Sequence, residues 1–104
     1  CVRTDAGHVV NPTVVAEVLE AHPDVVEAVV VALGSPSQPV LGALLESARP
    51  LAMSAVRRHS ARQLPPWSRP RVLDQTRALP RLPSGKPDRL ACLAILERTS
   101  AETP

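Results

Sequence analysis

Aromatic side chains are nearly missing from this chain: Trp67 stands alone, and there is no Phe and no Tyr. Single-stranded nucleic acid is gripped by stacking bases on aromatic rings, so that class of partner has almost nothing to stack on. The formal net charge is +2, too small to draw in a polyanion by itself. Nucleic acid is therefore not an expected partner. Cysteine is scarce, with Cys1 at the terminus and Cys92 in a predicted helix. The pair has neither metal-ligand spacing nor the density of a disulfide framework, and a reducing, cytoplasmic setting is the default expectation. His8, His22 and His59 are scattered and lack HExxH spacing, so no metal site is expected. Apolar runs such as Val29 to Leu33 fall far short of the ~20 residues that span a bilayer. No signal peptide is visible either, and no membrane partner is expected.

What is present is an ordinary globular balance, 44% hydrophobic and 21% charged over 104 residues. That length suits one small domain with a single core. Without aromatics, the core must come from Val, Leu, Ile and Ala. The chain opens on Cys1 rather than Met, so a piece of a longer protein is expected.

Asn11-Pro12 reads as a helix start, because Asn can cap free N–H groups and Pro fits the first turn. Val14, Val15, Val18 and Leu19 follow at helical spacing, predicting a helix over about 12–21 that ends at His22-Pro23. Residues 25–33 are rich in β-branched side chains and predict a buried strand. A turn is expected over 34–39, then a partner strand over 40–48. Helical spacing returns over 51–64, with Met53, Val56 and Leu64 on one side and Arg57, Arg58 and Arg62 forming a basic face. A further strand is predicted over 71–79, then a loop over 80–87. A short helix over about 88–97 carries Leu90, Leu93, Ala94 and Leu96. The polar tail 98–104 is expected to be frayed and disordered. The order predicts a small α+β domain over 1–97, with helices covering a short, mainly three-stranded sheet.

Lys86 sits in the loop Leu82-Pro83-Ser84-Gly85-Lys86-Pro87. A Walker A loop would need Gly at position 80 and Ser or Thr at position 87, and both are Pro. What remains is one ammonium held among backbone-restricting residues. Such a group suits contact with phosphate or carboxylate, since Lys is a compact charge with three donors. On spacing alone, a solvated lysine in a Pro-rich connection is the simpler reading. Arg81 and Arg89 flank Lys86, and Asp88 is placed to cap the last helix. Ser84 has no nucleophile elbow around it. Gly7-His8-Val9-Val10 reads as a strand running into the helix cap.

Taken in order, four stretches resemble the C-terminal domain of the adenylate-forming superfamily: acyl-CoA synthetases, nonribosomal peptide synthetase adenylation domains and luciferases. They are Gly7-His8-Val9-Val10-Asn11-Pro12, Leu19 to Val31 with its His22-Pro23 and Glu27-Ala28, Leu64-Pro65-Pro66-Trp67-Ser68-Arg69-Pro70, and Leu79-Pro80-Arg81 through Ser84-Gly85-Lys86-Pro87-Asp88-Arg89. The resemblance spans about residues 5–97. It implies that Lys86 is the catalytic lysine of acyl-AMP formation, with Ser84, Gly85 and Arg81 supporting its loop. It implies a second, thioester-forming face around Gly7 and His8. ATP and Mg²⁺ would be bound mainly by a large N-terminal adenylation domain, and the acceptor would be CoA or the phosphopantetheine of an acyl or peptidyl carrier protein. The isolated chain would be inactive. Departures exist: Val14 and Ala16 stand where the family usually has Glu, Thr4 lies where a Lys is common nearby, and Leu82 replaces a common Thr. These departures and the arginine face keep a second reading open, a non-catalytic module that docks on a carrier protein or partner domain.

Overall fold

The computed structural model describes residues 2–3, 9–35 and 38–102. Two short strands, β1 (Val2–Arg3) and β2 (Val9–Val10), pair antiparallel ahead of helix α1 (Pro12–Glu20). Asn11 caps α1 as its sequence demands: its Oδ1 accepts the Thr13 N–H at 2.9 Å, and Pro12 fills the first helical position. The expected turn at His22-Pro23 follows. Residues 7 and 8, singled out for the second face, lie outside the described residues.

The sheet is built from β3 (Glu27–Ser35), β4 (Gln38–Glu46) and β5 (Val72–Thr76), in the order β3-β4-β5. β3 and β4 run antiparallel in register from Glu27↔Glu46 to Ser35↔Gln38. The pairing runs farther toward the turn than expected, since Gly34 and Pro39 oppose each other within the ladder. β5 joins the far side of β4 in parallel, from Gly42↔Val72 to Glu46↔Thr76. Between β4 and β5 the chain crosses over through α2 (Met53–Gln63) and a 3₁₀ turn at Pro66–Ser68. The result is the small α+β domain that the sequence predicts.

Two hydrophobic clusters replace the single core expected from length. Val15, Leu19, Val30, Ala43, Leu45 and Val56 pack on the face covered by α1 and α2. Val29, Val31, Leu33, Leu44, Cys92 and Leu96 pack on the opposite face against α3 (Arg89–Glu102). Successive residues of a strand point to opposite faces. An unbroken apolar run such as Val29-Val30-Val31 therefore feeds both clusters at once, as in any sheet buried on both sides.

α3 differs most from its sequence prediction. It runs on to Glu102 instead of ending near residue 97. The Thr99 hydroxyl donates to Asp74 Oδ2 at 2.7 Å, which ties the last turns to β5. Its buried face carries Cys92 and Leu96, whereas Leu90 is 79% exposed. The cap is as expected, with Asp88 Oδ1 accepting the Ala91 N–H at 3.1 Å.

Burial pushes the Cys92 thiol above its ordinary value of 9.0; the Asp88 charge adds to that and Arg89 opposes it. The raised value in the folded chain means that the unfolded chain loses this proton first as pH rises. Cys92 thus contributes stability that is complete below its ordinary value and is lost as pH climbs past it. Denaturation midpoints should fall on the alkaline side accordingly. Iodoacetamide should label the Cys92 peptide only after unfolding, as read by mass spectrometry.

A braced lysine hairpin as the candidate functional site

The loop that carries Lys86 is a miniature hairpin. Asp88 N–H donates to Pro80 C=O at 2.8 Å, and Arg81 faces Pro87 in an antiparallel bridge. Leu82 N–H donates to Lys86 C=O, and Gly85 N–H donates to Leu82 C=O, both at 2.8 Å. Pro83 and Ser84 are the central residues of that turn. Pro83 presets φ for its first corner. Gly85 takes φ +91°, a left-handed conformation that completes a three-residue hairpin loop. A Cβ at Gly85 would meet nothing within 4 Å, so the demand for glycine is purely one of backbone. Gly85→Ala should therefore cost roughly 1–2 kcal/mol in chemical denaturation, and Gly85→Asn less, because Asn tolerates left-handed φ.

Lys86 is exposed and makes no ion pair among the described residues. Arg81, two residues outside the turn, does the reverse. Its Nη1 donates to Gly85 C=O at 3.0 Å, while Nη2 reaches Glu27 Oε1 at 2.8 Å and Glu46 Oε1 at 3.2 Å. The hydrogen bond to Glu27 is the largest effect holding the guanidinium above its ordinary pKa; desolvation opposes it, and the Glu27 and Glu46 charges and the Glu46 hydrogen bond add to it. Glu46 Oε1 also accepts the Leu79 N–H at 2.9 Å. Ser84 is exposed at the tip.

Lys86 also lines a groove of about 570 Å³ together with Asn11, Thr13, Glu20, Val30 and Arg89. The structure thus brings the end of the Gly7–Pro12 stretch and the lysine hairpin to one groove, although Gly7 and His8 themselves are outside the described residues. Glu20 Oε2 accepts the Ala28 N–H at 3.1 Å, and Arg89 Nη2 donates to Val30 C=O at 2.6 Å, along the outer edge of β3.

Sequence reasoning passed over Glu27 and Glu46 as parts of this site. A signal was available: each is the sole charged residue of a largely apolar strand. The basic face of α2 is also revised. Arg57 turns back to donate to Arg71 C=O at 3.2 Å and to Pro70 C=O at 3.5 Å, leaving Arg58 and Arg62. Among the described residues, no group of three or more His, Cys, Asp or Glu side chains could hold a metal ion. No helix among them is long and apolar enough to cross a membrane.

Fold and site together define a small sheet-and-helix domain that presents one lysine on a braced turn. The chain belongs to the family of AMP-binding enzyme C-terminal domains, whose model matches residues 14–86. Among solved structures, it is similar to an acyl-CoA synthetase from Brucella canis, at 27% identity and a TM-score of 0.77. That match covers 96% of this chain and 20% of the relative. It is also similar to the amide bond synthetase McbA from Marinactinospora thermotolerans, at 28% identity and TM-score 0.74, covering 83% of this chain and 18% of the relative. A double mutant of o-succinylbenzoate CoA synthetase (MenE) from Bacillus subtilis, bound to a product analogue, matches at 28% identity and TM-score 0.74, covering 88% and 20%. The chain thus spans about a fifth of the length of these relatives. No curated protein sequence matches it.

Proposed function

We propose that this chain is the mobile C-terminal domain of an ATP-dependent ligase that activates a carboxylic acid as its acyl adenylate. The observation that carries the reading is Lys86: an exposed ammonium, in no ion pair among the described residues, on a turn fixed by Pro83, Gly85 and the Arg81 brace. The relatives named above include CoA synthetases and an amide bond synthetase, and the match to the family extends through Lys86.

In the proposed reaction, a carboxylate oxygen attacks the α-phosphorus of ATP. The new O–P bond forms as the bond to pyrophosphate breaks. Two anions meet in that step, and a positioned cation offsets their repulsion. Lys86 supplies it, while Ser84 and Gly85 shape its turn and Arg81 holds the turn to the sheet. The ATP, acyl and Mg²⁺ sites are assigned to the large N-terminal domain. Rotation of the small domain then offers the face around Gly7 and His8, where the thiol of CoA or of carrier-bound phosphopantetheine takes the acyl group and AMP leaves. A cytoplasmic location completes the reading.

The test is Lys86→Ala in the complete enzyme, followed by ATP–pyrophosphate exchange. Exchange at the parental rate would refute the assignment. The competing reading, a non-catalytic docking module, rests on Arg58 and Arg62 once Arg57 is tied back, and it leaves the exposed Lys86 turn without a role.

A further inference from the structure

We propose that Glu27 and Glu46 are positioning residues for Lys86, acting through Arg81. This rests on the catalytic reading of Lys86 and extends it into the sheet.

Glu27 and Glu46 are register partners at the end of the β3–β4 ladder. Two like charges directly opposite each other on neighbouring strands repel. The guanidinium of Arg81 lies against both, so the repulsion becomes a socket for a cation. The planar fork has donors to spare, and Arg81 spends them in two directions: Nη2 on the two carboxylates and Nη1 on Gly85 C=O. Gly85 immediately precedes Lys86. The brace therefore ends one residue from the ammonium-bearing residue.

Among the described residues, no other side-chain hydrogen bond ties the tip to the sheet. Residues 82–86 are exposed, and the bonds of Leu82, Gly85 and Lys86 are internal to the hairpin. Those internal bonds fix the shape of the turn. They do not fix its direction relative to the sheet. Direction comes from the stem and from Arg81. Glu46 serves both, because its Oε1 accepts the Leu79 N–H at the base of the stem as well as Arg81 Nη2. The Glu46 side chain is 16% exposed, the Glu27 side chain 32% and the Arg81 side chain 38%. The anchor is thus the better-buried end, and the moving part is the open one. A displacement of about 1 Å at a reacting group can cost on the order of 10²-fold in rate, so a brace one residue away is placed to matter.

The experiment uses the complete enzyme with Arg81→Ala, Arg81→Lys and Glu46→Gln, each in the parent and in the Lys86→Ala background. The readouts are kcat and KM for ATP–pyrophosphate exchange, and amide hydrogen exchange at Leu82 and Gly85. Arg81→Ala should lower kcat about tenfold with KM near the parental value. Arg81→Lys should recover little of it, because a single ammonium cannot span Gly85, Glu27 and Glu46 together. Glu46→Gln should fall between. In the Lys86→Ala background, Arg81→Ala should change the rate less than twofold, and in the parent it should speed amide exchange at Leu82. An equal loss from Arg81→Ala in both backgrounds would overturn the proposal, because Arg81 would then act apart from Lys86. Unchanged amide exchange and kcat in Arg81→Ala would overturn it too. If Lys86→Ala alone left the rate intact while Arg81→Ala still loosened Leu82, the catalytic reading of Lys86 would fall and the brace would remain as a purely structural link.

Discussion

Lys86→Ala should lower ATP–pyrophosphate exchange by the complete enzyme about 10²–10³-fold, the loss expected on the proposed role from removing one preorganised donor from a developing negative charge. The fold should not change. Lys86 is exposed and makes no ion pair among the described residues, and surface substitutions of that kind stay within about ±0.5 kcal/mol. The thermal midpoint should therefore match the parent's, so that lost rate cannot be ascribed to unfolding. The defect should also be confined to one half-reaction. When preformed acyl adenylate is supplied, transfer to the thiol acceptor should run near the parental rate. Lys86→Arg should restore only part of the exchange, since it swaps a compact charge for a planar fork. A variant that loses both half-reactions equally would place Lys86 in general binding and not in adenylation.

The second large effect is on stability. Leu44 is fully buried on the central strand, in the cluster beneath α3. Leu44→Ala removes that side chain from a site lined by Val29, Val31, Leu33 and Leu96, none of them able to collapse far without disturbing the sheet. The expected loss is about 2–5 kcal/mol. Small domains hold only about 5–15 kcal/mol in total, and each 1 kcal/mol lowers the midpoint by roughly 4–8 °C at this size. Thermal unfolding followed by circular dichroism should thus shift down by roughly 8–40 °C, or the variant should fail to fold. A shift of only a few degrees would mean that the α3 face contributes little to the core.

Much of this is legible in the sequence. Asn11-Pro12 named the start of α1, and the β-branched run named β3. Pro83 and Gly85 marked a shaped turn around Lys86. The two-sided core was harder, because length argued for one cluster while the continuous apolar runs of β3 and β4 required two faces. The end of α3 was misread because residues 98–102 are polar. Polarity does not stop a helix, and no Gly or Pro intervenes before Pro104. Residue type alone does not say which of the apolar residues of α3 are buried: that face is set by where α3 meets the sheet, through Cys92 and Leu96, and it leaves Leu90 exposed. The Arg81 brace was out of reach for a different reason. Its partners lie 54 and 35 positions away, and only the strand register places Glu27 beside Glu46.

The outer edge of β3 has a consequence beyond the site. Among the described residues β3 pairs with β4 on one side only, and an open strand edge is a template on which another chain can add. Glu20 fills the place of an incoming carbonyl at Ala28, and Arg89 fills the place of an incoming amide at Val30. Two side chains thus imitate a fourth strand. With those two backbone groups already engaged, a strand from another chain would find fewer free partners along this edge.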